Sequence, residues 1–83
     1  MELILKKQPQ KYLASVDERT RNKLWKALDE LKKLNGNIEK LEGYKNRFRY
    51  KIEHYRIIFE WEKNEIVIIV LEINTRTNIK YRR

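Results

Sequence analysis

The sequence predicts an α+β fold for a single domain covering residues 1–83: a short N-terminal strand, a two-helix hairpin, then an antiparallel three-stranded meander. Basic and apolar residues alternate from 47 to 52, the two-residue period of a half-buried strand, and a second alternating run follows from 55 to 61. A third run, from 65 to 73, is almost continuously apolar and β-branched. Leucines recur at helical spacing upstream. We therefore expect one sheet with both helices packed on one face.

The first half of the chain supplies the strand and the helices. Residues 2–6 form a short strand candidate that adds to the sheet of the meander. Pro9 suits the first turn of a helix, and Asp17 is the predicted N-cap of a longer one that Gly36 ends. Residues 37–45 are predicted to be a polar connection. The apolar stripes are Tyr12, Leu13 and Val16 in the first helix, and Leu24, Ala27, Leu28, Leu31 and Leu34 in the second.

Two short polar pairs, Glu53-His54 and Lys63-Asn64, separate the three runs of the meander and suit two-residue turns. With such turns, residue 47 faces 60 and residue 52 faces 55 in the first hairpin, while 61 faces 66 and 56 faces 71 in the second. Cross-strand partners share a face of the sheet. The predicted core face therefore carries Phe48, Tyr50, Ile52, Tyr55, Ile57, Phe59, Trp61, Ile66, Ile68 and Val70.

The opposite face is predicted to be cationic and apolar together. Its cations are Arg47, Arg49, Lys51 and Arg56. Beside them lies an apolar strip, formed by Ile58, Val67, Ile69 and Leu71, that no predicted element is left to cover. Because the third strand passes the Glu53-His54 turn, we expect Arg76 to converge on Lys51 and Arg56. The tail that follows adds Lys80, Tyr81, Arg82 and Arg83.

Composition limits the partners and the chemistry. Twenty Lys and Arg residues against twelve Asp and Glu give a formal charge of +8, which favours nucleic acid, then a membrane surface or an acidic protein. With no cysteine, one histidine and two glycines, we expect no disulfide, metal, cofactor or phosphate-binding loop. There is no recognisable signal peptide, and no apolar stretch approaches the ~20 residues of a membrane span, so we expect a cytoplasmic protein.

Several of these features also have plain structural explanations. His54 lies in a predicted turn, and such residues are more often solvated than used for proton transfer. Glu60 faces Arg47, a pairing more typical of a surface ion pair than of a catalytic dyad. The cationic face would also serve solubility or non-specific phosphate binding, and charge alone does not decide between these roles and a specific site.

Residues 48–60, Phe-Arg-Tyr-Lys-Ile-Glu-His-Tyr-Arg-Ile-Ile-Phe-Glu, resemble the signature of the RelE/ParE toxin superfamily. That signature has a basic, an apolar and a basic residue, a short turn, then Tyr-Arg and an apolar strand. Residues 38–44 resemble the family's Lys-Leu-x-Gly lead-in, and residues 70–76 resemble its last strand with the Arg that follows. Strand, two helices and meander match in order, so the resemblance covers the whole chain as a single RelE-like toxin domain.

The resemblance to the RelE branch implies the toxin of a type II toxin–antitoxin pair, a ribosome-dependent mRNA endonuclease that needs no metal. In that family the 2′-hydroxyl attacks the neighbouring phosphate, leaving a cyclic phosphate and a 5′-hydroxyl. The implied partners are mRNA in the ribosomal A site, ribosomal RNA and a small acidic RelB-like antitoxin. Carried over position by position, the implied catalytic residues are Arg49, Lys51, Arg56, Arg76 and Tyr81. The implied substrate-binding residues are Lys45, Arg47, Lys80, Arg82 and Arg83.

The implied roles have chemical reasons. The basic strand holds the phosphate and aids removal of the 2′ proton, Arg56 matches the transition-state clamp, and Arg76 matches the residue near the leaving oxygen, because guanidinium groups stabilise developing phosphorane charge. Lys51 is the better proton acceptor, since a guanidinium is a poor base. Tyr81 roughly matches a tyrosine that stacks on a base. Asn74-Thr75 departs from the family's Gly followed by His or Lys, which removes one possible acid.

The apolar strip beside the cations predicts a site for an amphipathic, acidic antitoxin segment. The ParE branch remains an alternative: it shares the fold and inhibits DNA gyrase by binding, but its members generally lack the basic set near the hairpin. A non-catalytic nucleic-acid or protein-binding module is the other alternative.

Overall fold

The computed structural model describes residues 1–80, and in that part of the chain the predicted order of strands and helices is confirmed. The elements are β1 (Glu2–Leu5), α1 (Lys7–Ser15), α2 (Glu18–Leu31), β2 (Asn37–Lys40), β3 (Arg47–Ile52), β4 (Tyr55–Glu60) and β5 (Val67–Thr75). These strands form one sheet in the order β1-β5-β4-β3-β2. β1 runs parallel to β5, and the other neighbouring strands are antiparallel.

Both helices begin where the sequence predicts. Pro9 is buried in the first turn of α1, where a missing N–H costs no hydrogen bond. Asp17 caps α2, because its carboxylate accepts the backbone N–H of Thr20 at 3.4 Å. Hydrogen bonding with Thr20 lowers the pKa of the Asp17 carboxyl. α2 ends at Leu31, short of the predicted end, since Leu34 adopts a left-handed φ of 52°.

The segment predicted as a polar connection contains a strand, β2, which pairs antiparallel with β3. Ile38 lies opposite Tyr50 and packs against the core, while Glu39 lies opposite Arg49. The prediction was wrong because Ile38 alone marks the alternation of this short segment. Its strand conformation comes from pairing with β3, which local propensity does not reveal.

The first hairpin of the meander has the predicted register, from Arg47 opposite Glu60 to Ile52 opposite Tyr55. Its two-residue turn is made by Glu53-His54, with Glu53 at a φ of 52°. The alternation of the two strands was therefore enough to place every cation of β3 and β4 relative to its neighbours.

The second hairpin departs from its predicted register. Residues 61–66 connect β4 to β5 as a wider loop, across which the indole N–H of Trp61 donates to the Glu65 carbonyl at 3.1 Å. As a result, Arg56 lies opposite Asn74 and not opposite residue 71. Ile66, predicted in the core, is 69% exposed in this loop. The error came from assuming a tight turn where the tryptophan side chain stabilises a longer one.

A β-bulge at Leu71 restores the core pattern of β5 beyond the shifted register. Because of this extra residue, Val70 and Ile73 both face the core and are fully buried although they are three positions apart. The side-chain amide of Gln8 then donates to the Ile73 carbonyl at 2.8 Å and accepts the Ile73 N–H at 2.9 Å. The amide thereby takes the place of a strand neighbour beyond the end of β1.

The core lies between the sheet and the two helices. The fully buried Phe59 stacks with the partly buried Phe48, with ring centroids 5.4 Å apart. The largest fully buried side chains are Phe59, Leu24, Leu28, Leu31, Ile57, Ile68, Ile73, Val70 and Pro9. The other side of the sheet, called the open face below, carries the cations of β3 and β4.

Candidate functional site

Four polar residues lie side by side across the open face, at the end of the sheet nearest the β3–β4 turn. They form the hairpin-end row, in which Asn37, Lys51, Arg56 and Asn74 are successive cross-strand partners. Neighbours in such a row have Cβ atoms about 5 Å apart on the same face. The row therefore offers two cations and two amides to an anion, and no carboxylate.

Arg56 is oriented by the turn beside it. Its Nη1 donates to the backbone carbonyl of Glu53 at 2.9 Å and to that of Tyr55 at 2.8 Å. The Glu53 carboxylate points to the helix side instead, where it accepts from Lys23 Nζ at 2.9 Å, and this contact lowers the pKa of Glu53. The carbonyls hold the guanidinium in place without neutralising it.

Arg76 lies next to the same turn, as the sequence predicts, although the register that brings it there differs. Its backbone N–H donates to the His54 carbonyl at 2.7 Å, and its side chain is exposed. Within residues 1–80, no carboxylate lies in ion-pair distance of Arg56 or Arg76. Lys51 and Arg56 thus lie at one end of the open face, and the backbone of Arg76 lies beside the turn at that same end.

The next row inward is different because β2 adds a carboxylate to it. Glu39 accepts a hydrogen bond from Arg49 Nη2 through Oε1, and the same oxygen lies 3.4 Å from Lys51 Nζ. The hydrogen bond from Arg49 is the main reason why the pKa of the Glu39 carboxyl is lowered. Two of the predicted catalytic cations therefore share a counter-anion that was missed together with its strand.

Arg47 stands at the far end of β3 from the turn. Its guanidinium donates to Glu60 Oε2 at 2.8 Å through Nη2, and it lies 4.2 Å from the ring centroid of Tyr44. The predicted ion pair with Glu60 is confirmed, and the aromatic ring adds a cation–π contact. Lys45 is exposed nearby. These two predicted substrate-binding residues lie apart from the hairpin-end row.

The apolar strip is more covered than predicted. Ile58 is only 5% exposed, since it lies between Arg49 and Glu72, whose long side chains shield it. The chain after β5 also folds back towards it, because the Lys80 N–H donates to a Glu72 carboxylate oxygen at 3.2 Å. Ile58 is thus a buried residue and not an exposed contact. The other members of the strip, Val67, Ile69 and Leu71, keep partial exposure.

Of the remaining predicted site residues, one lies within the described part of the chain and three lie outside it. Lys80 is exposed and borders a cleft of about 360 Å³ that Arg47, Ile58, Leu71 and Glu72 also line. Tyr81, Arg82 and Arg83 lie outside the described residues. Asn37, Glu39 and Glu72 were not predicted to belong to the site. The single apolar residue Ile38 among polar neighbours was the available signal for the first two.

A model of the family described as ParE toxin of type II toxin-antitoxin system, parDE, matches residues 3–79. No curated protein matches the sequence. Across residues 1–80, neither helix has the length and apolar character that a membrane crossing requires.

Solved structures of RelE toxins share the fold. RelE in the RelB–RelE complex from Methanococcus jannaschii is 24% identical with a TM-score of 0.70, and the match covers 89% of this chain and 91% of that one. The matching chain of the RelE–RelB complex from Pyrococcus horikoshii is 22% identical with a TM-score of 0.75, and the match covers 94% of this chain and 97% of that one. The isolated RelE toxin of E. coli is 22% identical with a TM-score of 0.71, and the match covers 89% of this chain and 82% of that one.

Proposed function

Since the chain belongs to the family of ParE toxins of type II toxin–antitoxin systems, with a RelE-like fold within the RelE/ParE superfamily, we propose that this toxin cleaves mRNA on the ribosome in the cytoplasm. The observation that carries the proposal is the hairpin-end row together with Arg76. There, Arg56 and Arg76 have no carboxylate partner within residues 1–80, and Lys51 lies beside them.

The proposed reaction is attack of an RNA 2′-oxygen on the adjacent phosphorus. The new bond from the 2′-oxygen forms as the bond from phosphorus to the 5′-oxygen breaks. One proton leaves the 2′-hydroxyl and one returns to the 5′-oxygen, so no water is consumed. Negative charge grows on the phosphorane oxygens, where Arg56 and Arg76 stabilise it more strongly than in the ground state.

Electrostatic stabilisation carries more of this proposal than proton transfer. Lys51 remains the best proton acceptor by chemical type, because arginine cannot deprotonate. Its ammonium, however, already lies 3.4 Å from Glu39. The amide nitrogen of Asn74 can donate to a phosphate oxygen in the same row, since its carbonyl oxygen accepts the N–H of Thr75 at 2.9 Å. Lys45, Arg47, Lys80, Arg82 and Arg83 are the proposed substrate-binding residues, and ribosomal RNA is the proposed second partner.

An antitoxin is the proposed protein partner. Two of the structurally similar proteins are toxins solved in complexes with RelB. We expect a small acidic, RelB-like antitoxin whose apolar residues cover Val67, Ile69 and Leu71, and whose carboxylates reach the neighbouring cations. Such a segment would block RNA by occupying part of the open face.

Gyrase inhibition is the second candidate function. The matching family model describes ParE toxins, and Glu39 and Glu60 partly neutralise three of the four cations predicted on β3 and β4. Binding to gyrase would need no phosphate clamp. Arg56 and Arg76, which have no carboxylate partner within residues 1–80, favour the nuclease.

Induction of the toxin without its antitoxin tests the proposal. Growth should stop through loss of translation, and primer extension should detect new 5′ ends inside translated codons. An untranslated copy of the same transcript is the control, and it should stay intact. Intact translated transcripts accompanied by gyrase-dependent DNA breaks would contradict the nuclease and support the ParE alternative.

A further inference from the structure

We infer that Glu39 is an internal competitor of RNA, whose carboxylate occupies the position between Arg49 and Lys51 that a backbone phosphate takes when RNA binds along β3. The inference rests on the proposed function, because it assumes that RNA is the ligand of the open face. It assigns to β2 a role in setting how strongly that face binds phosphate.

The register and the contacts of one oxygen carry the inference. Glu39 is the cross-strand partner of Arg49, and Lys51 follows two positions later on the same face of β3. Oε1 of Glu39 contacts both cations. A phosphate oxygen bridging the two side chains would need the same place, so the carboxylate and a phosphate exclude each other.

The carboxylate is held loosely enough to be exchanged. The Glu39 side chain is 44% exposed, and those of Arg49 and Lys51 are 27% and 31% exposed. Ion pairs at such exposure contribute little stability and are screened by salt. Water can therefore receive the displaced carboxylate, and a phosphate can take its place. The lowered pKa keeps Glu39 ionised at neutral pH.

Within residues 1–80, Arg56 and Arg76 have no such competitor. Arg56 is oriented by backbone carbonyls, and Arg76 is exposed. RNA would contact these two cations directly, whereas contact with Arg49 and Lys51 requires displacement of Glu39. RNA can thus reach one part of the open face directly, whereas Glu39 occupies the other part. Displacing Glu39 reduces the free energy gained when RNA binds.

Binding of a short 2′-O-methyl oligouridylate, measured by fluorescence anisotropy over a series of KCl concentrations, tests the inference. This probe lacks the attacking hydroxyl, so binding is measured without cleavage. Glu39→Gln should bind more tightly than wild type, and its plot of log K against log salt should be steeper by about 0.7 for each cation released. Glu53→Gln is the matched control, because it changes the net charge equally while its carboxylate faces Lys23 on the helix side.

The inference is overturned if Glu39→Gln binds no more tightly than Glu53→Gln, or does not bind. Weaker binding would mean that Glu39 orients the two cations for RNA. A second comparison uses Lys51→Met, which should reduce the salt slope clearly in the Glu39→Gln background and little in the wild-type background. Equal effects in both backgrounds would also overturn it. If the wild-type toxin does not cleave mRNA but Glu39→Gln still binds the probe more tightly than wild type, only the proposed nuclease activity is contradicted.

Discussion

How strongly a cationic side chain on a sheet attracts a phosphate depends on whether its hydrogen-bond partners are charged. Arg49 and Lys51 share the carboxylate of Glu39, so much of their field is cancelled locally. Arg56 is held by two carbonyl oxygens, which carry partial charges only. A guanidinium fixed in this way is preorganised, and its full charge remains available to a phosphate.

Removing either of the two hairpin-end arginines should therefore reduce activity far more than stability. We expect Arg56→Ala and Arg76→Ala each to lower the rate of mRNA cleavage in a reconstituted translation reaction by roughly 10² or more. Urea unfolding should change little, because neither side chain is buried in the core. Arg19→Ala, at an exposed position of α2, is the control for loss of one positive charge. An Arg56→Ala protein that unfolds easily yet keeps its activity per folded molecule would contradict this assignment.

The ion pair between Glu53 and Lys23 makes stability depend on pH in a defined direction. The contact with Lys23 lowers the pKa of Glu53 from its ordinary value of 4.5. The folded chain therefore binds fewer protons than the unfolded chain, so this stabilisation is present above pH 4.5 and is lost as the pH falls through the lowered pKa. Because both side chains are exposed, urea midpoints measured between neutral and acid pH should decrease only slightly in this window. The decrease should be smaller for Glu53→Gln; an identical acid profile for both proteins would contradict the linkage.

At the scale of elements, the passage from α2 to β2 depends on one glycine. Gly36 has a φ of 130°, and a Cβ atom added to it would lie 2.4 Å from the Tyr50 hydroxyl oxygen. That hydroxyl donates to the Asn35 carbonyl at 2.9 Å, and burial raises the pKa of Tyr50. The aromatic ring thus fixes the start of β2, and through β2 the position of Glu39.

Gly36→Ala should consequently destabilise the protein, by roughly 2–6 kcal/mol from backbone strain and overpacking together. Gly43→Ala is the matched control, because its φ is 85° but nothing lies within 4 Å of an added Cβ. It should cost only the left-handed conformation, about 1–2 kcal/mol. Equal urea midpoints for the two variants would show that Tyr50 yields to the added methyl group.

The elements differ in how far local sequence determines them. Alternation predicted β3 and β4 with their register, and leucine spacing with a capping Asp17 predicted α2. β2 and the β4–β5 loop were not predicted, since one depends on pairing with a neighbouring strand and the other on the Trp61 side chain. The same limits apply to the site. Its cations followed from the pattern, whereas the counter-anion Glu39 did not.

At the scale of the whole molecule, the two surfaces differ in what they offer a partner. The helices cover the core face, and α2 exposes a single large aromatic residue, Trp25, which is 44% exposed. The open face combines cations with the partly exposed members of the apolar strip. The edge strand β1 continues that apolar surface through Ile4, which is 48% exposed and pairs with Ile69. Because this chain has a net charge of +8, it would attract an acidic partner to the open face before apolar contacts form.

The antitoxin should therefore be released by a charge placed in the strip and not by one placed on the helices. We expect Leu71→Asp to weaken the complex with the antitoxin by at least 10-fold, since a buried carboxylate would replace an apolar contact at the interface. Trp25→Asp makes the same change of charge at an exposed apolar residue of α2 and should leave the affinity nearly unchanged. Titration calorimetry with the copurified antitoxin measures both. If Trp25→Asp releases the antitoxin while Leu71→Asp does not, the antitoxin binds on the outer side of the helices. The apolar strip would then have no role in binding it.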